Sequence, residues 1–235
     1  MIKIYGKNCV YAAIHANSKL ETVFVCNDIL RKDNNIVSLL KDKKINYRLV
    51  DKNYIDKEFG EGNQGYGAYR SDYEILDMDS LNKLPKEKGR VLILDGIQDP
   101  HNLGAIIRSV DAFGYDMIIL PKNNSVSVNK TVAHISTGAI EYTKIMYVNS
   151  LLTVINKLKD MGYWICGTDA SGDTLSSNID KSLNLAVIIG SEGFGMSKTL
   201  VKASDFLITI PMKGHVNSLN ASVSAGIVLH DLMAN

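Results

Sequence analysis

Three stretches of this 235-residue chain hold side chains whose types and spacing could do chemistry. The first is LDGIQDPHNLGAIIRSVDAFG, Leu94 to Gly114, the end of an apolar strand running into a helical pattern. Asn102 and Gly104 suit the turn, and Arg108 and Ser109 lie further along the helix. A helix that opens behind a strand presents free N–H groups and a partial positive charge, which suit an anion. Arg108 could then hold a phosphate through its planar fork. The plainer alternative is a solvated helix with Asn102 as its cap. The second stretch is VIIGSEGFGMS, Val187 to Ser197, a strand followed by a turn containing Gly190, Gly193 and Gly195. Glycines let backbone bend sharply and lie against a ligand. The G-x-x-G-x-G spacing is not the dinucleotide G-x-G-x-x-G, and no G-K-S/T follows as in a P-loop. Glu192 inside the turn suits hydroxyl or amine groups better than a pyrophosphate; the alternative is a tight turn with an exposed carboxylate. The third is IPMKGHVNSLNASVSAGIVLHD, Ile210 to Asp231, which passes from a strand through a run of small polar residues into a helix. Ser218 and Asn220 offer a hydroxyl and an amide where that helix starts, as ligand contacts or as simple caps.

Other candidates carry less. His101 and His134 stand without metal-ligand company, and His134 in TVAHISTGA reads as a structural helix residue. Asp169 and Asp173 in TDASGD could hold a cation or form Asx turns. Tyr66 and Tyr69 could stack on RNA bases or be ordinary strand aromatics. Cys9, Cys26 and Cys166 form no C-x-x-C pair, so no structural metal is expected. They read as small core residues of a protein in a reducing compartment.

The elements that must position these groups fall in two parts. IKIYG, TVFVCN and NYRLVD read as strands, and NCVYAAIHAN, opening at Asn8, and NNIVSLLKDKK as helices. This makes residues 1–75 a small α/β domain. Residues 76–89, polar and containing Pro85, read as a linker. From residue 90 to 235 the apolar runs VLILD, MIILP, KIMYV, YWICGT, LAVIIG and FLITIP alternate with helical segments such as LLTVINKLKDMG. Continuous apolar strands between helices predict an α/β fold with a parallel sheet covered on both faces.

Composition excludes several classes. Hydrophobic residues make up 46% and charged residues 22%, ordinary for a globular protein. Net charge is +1, so any nucleic-acid surface must be local. No apolar run approaches the roughly 20 residues that cross a bilayer. The N-terminal stretch lacks the layout of a secretion signal. A cytoplasmic protein without a membrane partner is the expectation.

Taken in order, DPHNLGAIIRSVDAFG, IGSEGFGMS and IPMKGHVNSLNASVSAGIVLHD resemble the SpoU (TrmH-like, SPOUT) RNA 2′-O-ribose methyltransferases. The N-terminal IYGKNCVYAAI and GNQGYGA more loosely resemble the RNA-binding domain of the ribosomal-RNA members, with Asn63-Gln64-Gly65 where that family often has His-Gln-Gly. The resemblance implies a C-terminal trefoil knot, whose threaded segment needs slim side chains such as those of NSLNASVSAG. It implies S-adenosylmethionine as cofactor, held around Gly190, Gly195, Ile210, Met212 and Leu219. It places Asn102, Arg108, Glu192, Ser218 and Asn220 at the catalytic centre. A guanidinium stays protonated, with a pKa above about 12, so Arg108 suits a clamp on phosphate more than a base. The resemblance also implies a homodimer with sites at the interface, no metal, and a guanosine ribose of 23S rRNA as target. A tRNA ribose, or a non-catalytic role in ribosome assembly, are the alternatives.

Overall fold

The protein is described by a computed structural model covering residues 1–235 apart from Glu192, Phe194, Asn217 and Asn235. It divides into two units: Met1–Tyr73 with Val128–Tyr142, and Glu74–Ser127 with Thr143–Asn235.

Unit 1 opens with strand β1 (Ile2–Tyr5), helix α1 (Lys7–His15) and strand β2 (Leu20–Cys26). Helix α2 (Asn35–Asp42), strand β3 (Tyr47–Val50), helix α3 (Lys52–Phe59) and strand β4 (Tyr66–Arg70) follow. The sheet order is β1-β4-β2-β3, with β4 antiparallel to both neighbours and β2 parallel to β3. Helix α1 starts at Lys7 behind Gly6, whose φ of 91° suits glycine, one residue before the expected Asn8. Helix α3 was not anticipated. Asp51 caps it by accepting from the Tyr54 N–H at 2.7 Å, and Ile55 and Phe59 bury its inner side. Tyr66 is buried and its hydroxyl donates to Asp33 at 2.5 Å. Tyr69 packs edge-on against Phe24, with ring centroids 5.3 Å apart, and donates to Glu58. Both tyrosines build the wall of unit 1 and are committed there, which decides for the strand-aromatic alternative.

Unit 2 holds β5 (Ile75–Leu76), β6 (Arg90–Asp95), α4 (Pro100–Ala112) and β7 (Met117–Pro121). The chain then contributes α5 (Lys130–Ile135) to unit 1. Back in unit 2 come β8 (Ile145–Val148), α6 (Leu151–Asp160), β9 (Tyr163–Thr168), β10 (Thr174–Leu175) and β11 (Asn184–Gly190). Helix α7 (Lys198–Ala203), strand β12 (Phe206–Thr209) and helix α8 (Ala221–Leu232) complete it. The sheet runs β10-β12-β9-β11-β6-β7-β8-β5, and every described pairing is parallel.

The six apolar runs of the sequence are β6, β7, β8, β9, β11 and β12. They are apolar throughout because both faces are covered. Val91, Ile93, Met117, Ile119, Ala186 and Ile188 pack against Val154, Ile155 and Leu158 of α6 and Leu200 of α7. The intervening Leu92, Leu94, Ile118, Leu120, Val187 and Ile189 point to the opposite face. They are equally buried. On that side α4 packs on α8, and α8 on β11.

Two boundaries differ from the sequence expectation. Residues 76–89 are folded into unit 2 rather than forming a linker: β5 pairs with β8, and Leu81 and Leu84 are buried in the core of α6. Charged neighbours had masked these two anchors. Residues 128–142 lie within the expected second domain but fold with unit 1.

Candidate active site

In a parallel sheet the C-terminal ends of the strands share one edge, where ligands of open α/β sheets bind. The three chemistry-bearing stretches start from this edge: residues 96–99 follow β6, 191–197 follow β11 and 210–220 follow β12.

The second stretch is a tight turn. Ser191 and Gly195 exchange both backbone hydrogen bonds, at 3.1 and 3.0 Å, and Gly193 and Gly195 have φ of 92° and 65°. A Cβ on Gly190 would lie 2.3 Å from the Gly195 carbonyl carbon, so only glycine lets the two backbones meet. Asp95, at the end of β6, accepts from the Ser197 N–H at 2.8 Å and ties the far end of the turn to the neighbouring strand. This carboxylate was not singled out from the sequence, although its place at the end of a strand was a readable signal. Glu192 lies outside the described residues.

The third stretch ends in a cap. Asn220 Oδ1 accepts from the Ser222 N–H at 2.9 Å and from its hydroxyl at 2.7 Å, opening α8. Ser218 and Met212 are exposed, and Ile210 and Leu219 half-buried. Asn217 lies outside the described residues. The direction of α8 is fixed at its other end. There the Arg90 guanidinium, at the start of β6, donates to the Leu232 carbonyl at 2.6 Å. The twelve residues of α8 span about 18 Å. The six of β6 span about 20 Å. The N-terminus of α8 therefore returns to the edge that carries Gly190.

Helix α4 runs beside α8. A Cβ on Gly226 would meet the Ser109 hydroxyl at 3.8 Å, and Phe113 stacks edge-on with His230 at 5.5 Å. Both pairs are separated by 117 residues (226 − 109 and 230 − 113). The same offset from Gly104 gives Ala221, so the first turns of α4, with Asn102, and of α8 run side by side. Here the small residues at the start of α8 find their structural use. Ala221 and Ala225 are buried, and a bulkier Gly226 would approach α4.

Asn102 itself is not the cap of α4. Asp99 is, accepting from the His101 N–H at 3.0 Å, with Pro100 in the first turn. Asn102 and Gly104 are inside the helix, which brings Asn102 to the ligand edge from its first turn. Arg108 follows it on the same helix, six residues on, about 9 Å further along the axis and roughly 120° around. It is exposed. Gly190, Gly195, Ile210, Leu219, Ser218 and Asn220 thus lie on segments at this edge, and Asn102 and Arg108 on the helix that follows β6.

Competing chemistry finds little support. The three cysteines are free and buried, and burial pushes the Cys9 thiol up to about 11 and Cys166 to about 12, unsuited to a nucleophile. Asp169 accepts from Ser171 at 2.8 Å (N–H) and 2.6 Å (hydroxyl), an Asx turn. Among the described residues no group of three His, Cys, Asp or Glu is arranged to hold a metal, and no helix is long and apolar enough to cross a membrane.

Comparison with known proteins gives the family and the fold. Residues 89–230 match the model of the SpoU rRNA Methylase family, and residues 3–76 that of the RNA 2′-O ribose methyltransferase substrate-binding domain. A Staphylococcus aureus (strain MSSA476) protein assigned to the TrmH family of tRNA/rRNA methyltransferases is 42% identical over 233 residues, 97% of this chain and 94% of its own. The fold is that of the SpoU methyltransferase AviRb from Streptomyces viridochromogenes, solved with AdoMet (TM-score 0.79, 21% identity, 98% of this chain and 88% of that one). It is equally that of an AdoMet-bound rRNA methyltransferase from Sinorhizobium meliloti (TM-score 0.80, 22% identity, 98% and 86%).

Proposed function

The chain belongs to the SpoU rRNA methylase family, and from that premise we propose that it methylates a ribose 2′-hydroxyl of RNA, that of a guanosine in 23S rRNA, with S-adenosylmethionine as cofactor. The observation that carries this reading is the cradle at the ligand edge. Gly190 packs on the Gly195 backbone and closes the turn, while Gly193 and Gly195 have open space beside them, so main-chain groups of that turn can lie directly against a flat ligand. Half-buried Ile210 and Leu219 and the exposed Met212 offer apolar surface beside it. These residues fit the cofactor, which when bound supplies a methyl group on a sulfonium.

The remaining residues act on the RNA. Asn102, Ser218 and Asn220 supply amide and hydroxyl groups beside the N-termini of α4 and α8, where partial positive charge favours a developing oxyanion. Positioning the 2′-hydroxyl in line with the methyl can contribute several kcal/mol. Glu192 is assigned to a hydroxyl of the substrate or cofactor. Arg108 is assigned to the target phosphate and to the developing negative charge. Exposed and about 9 Å along α4 from Asn102, it could serve the site of a second copy. A homodimer is supported by Val223 and Ile227, one turn apart on α8 and 49% and 38% exposed. The C-terminal segment is proposed to be threaded as a trefoil knot. In support, β11 is inserted between β6 and β9, and α8 returns to α4 after β12. Loop 169–173 also crosses β12 closely enough that a Cβ on Gly172 would lie 2.6 Å from the Leu207 carbonyl.

Unit 1 is assigned the choice of RNA, which the match of residues 3–76 supports. It favours ribosomal RNA; tRNA is the second reading, kept because the staphylococcal relative is named for both. The buried free cysteines are in keeping with a cytoplasmic setting. The test is methyl transfer from radiolabelled S-adenosylmethionine to unmodified 23S rRNA and to bulk tRNA in separate reactions. Label in rRNA is expected. Label in tRNA alone would overturn the choice of substrate. Cofactor binding without label in either would favour the assembly role.

A further inference from the structure

Residues 128–142 lie inside the stretch that matches the methylase model, yet they fold with unit 1. They are fastened along their whole length. Asn129 caps α5, accepting from the N–H groups of Thr131 and Val132. The His134 ring stacks on Tyr5 of β1, with centroids 4.3 Å apart. The Cys9 thiol of α1 donates to the Ala133 carbonyl at 3.5 Å. Gly138 has φ 97°, and a Cβ there would lie 2.5 Å from the Ala12 Cβ and 3.0 Å from the Asn8 carbonyl oxygen, so the segment lies flat on α1. Glu141 closes it. Its carboxylate, 2% exposed, pairs with Arg70 at the end of β4. It also accepts from the hydroxyls of Ser18 (2.5 Å) and Tyr73 (3.1 Å), and Tyr73 carries the Arg70 guanidinium over its ring at 3.6 Å.

A domain joined by one connector at residues 73/74 would be tethered only there. This one is also joined at 127/128 and 142/143. The methyltransferase chain thus leaves unit 2 after β7, docks on unit 1 and returns to start β8. We propose that residues 128–142 are a strap through which the methyltransferase holds its RNA-binding unit, and that Glu141 is a positioning residue for RNA. The inference rests on the reading of unit 1 as the RNA-binding unit. Docked, the strap leaves three direct chain connections between the units, which raises the effective concentration of RNA bound by unit 1 around unit 2. Released, the same unit is a loose tether.

The experiment compares wild type, Glu141→Gln and the double variant Arg70→Met/Glu141→Leu, which replaces the buried pair with apolar side chains. Methylation is followed with RNA varied at saturating cofactor, cofactor affinity by calorimetry, and strap docking by amide hydrogen exchange of residues 8–18 and 130–142. Glu141→Gln should raise KM for RNA about tenfold and leave kcat and cofactor affinity near wild type, since only substrate delivery is changed. Exchange should rise in both stretches together. The double variant should restore part of the protection, the Ser18 and Tyr73 hydroxyls having lost their acceptor, and KM should recover with it. An unchanged KM in a variant whose exchange shows the strap released would overturn the proposal, and so would a KM that stays high in a double variant with the strap protected. A wild-type chain that binds RNA without methylating it would overturn the enzyme reading alone. The RNA dissociation constant then replaces KM in the same comparison. A chain that binds no RNA would overturn both.

Discussion

Each unit buries an arginine, and the two are satisfied in different ways. Arg70 of unit 1 has a carboxylate partner, Glu141, delivered from 71 residues away, beside one bond from its Nε to the Ser71 carbonyl at 2.9 Å. Arg90 of unit 2, 1% exposed, donates only to main-chain carbonyls: Leu232 at 2.6 Å, Gly89 at 3.0 Å, Leu183 at 2.7 Å and Lys181 at 2.6 Å. The first is a lock between two side chains. The second is a clamp on the backbone of the β6 start, the approach to β11 and the end of α8. A side-chain lock can be replaced by another pair, whereas a backbone clamp has no partner to mutate. Unit 1 is therefore fastened in a way that can be exchanged, and unit 2 in a way that fixes where α8 begins and with it the cap at the ligand edge.

The largest expected effects come from breaking each arginine. Glu141→Ala leaves a buried guanidinium unpaired and should cost unit 1 about 3–5 kcal/mol. Arg90→Met orphans several buried carbonyls in unit 2 at roughly 1–3 kcal/mol for each. The contrast is in the rescue. Adding Arg70→Met to Glu141→Leu should recover part of the loss in chemical denaturation, because a buried pair replaced by apolar residues is often neutral, while the Ser18 and Tyr73 hydroxyls still lose their acceptor. No second side-chain change should recover Arg90→Met. Equal rescue of both would dissolve the distinction.

Next in size is Gly190→Ala. Its Cβ would meet the Gly195 backbone, and an ångström of displacement at a site can cost about a hundredfold. Methylation assays should show turnover falling by that order while unit 1 still binds RNA. Arg108→Lys should follow. Cofactor binding stays, and turnover falls about a hundredfold, the scale for losing one charge-stabilising donor. Unchanged turnover would sink the clamp role.

The smallest effect concerns acid. Burial raises the Asp33 carboxyl, but hydrogen bonds from Tyr11, Tyr66 and Lys7 outweigh it and hold the group below its ordinary 3.8. A depressed carboxyl contributes stability above the unfolded value and loses it as pH falls through the folded one. Melting of unit 1 should thus drop as pH falls below 3.8, and Asp33→Asn should flatten part of that drop.

How much of this was legible varies with the physics. The six long strands of unit 2 were readable because burial on both faces makes them continuously apolar. Strands β5 and β10, two residues each, leave no pattern. Helix α3 had its signals, with Asp51 as cap, Ile55 and Phe59 four apart, and Gly60 behind them. A charged face obscured them. The cap of α4 was readable from Asp99-Pro100 and was misassigned to Asn102. The cradle at Gly190 followed from glycine spacing. The allegiance of residues 128–142 did not, because Gly138 against Ala12 and Glu141 against Arg70 are long-range contacts.

The central claim is that the ribose, not the base, receives the methyl group. The direct measurement is mass spectrometry of nucleosides from 23S rRNA methylated by this protein. The account predicts one guanosine with the added methyl on its sugar fragment and an unmodified base fragment. A methyl group on the base fragment would contradict it.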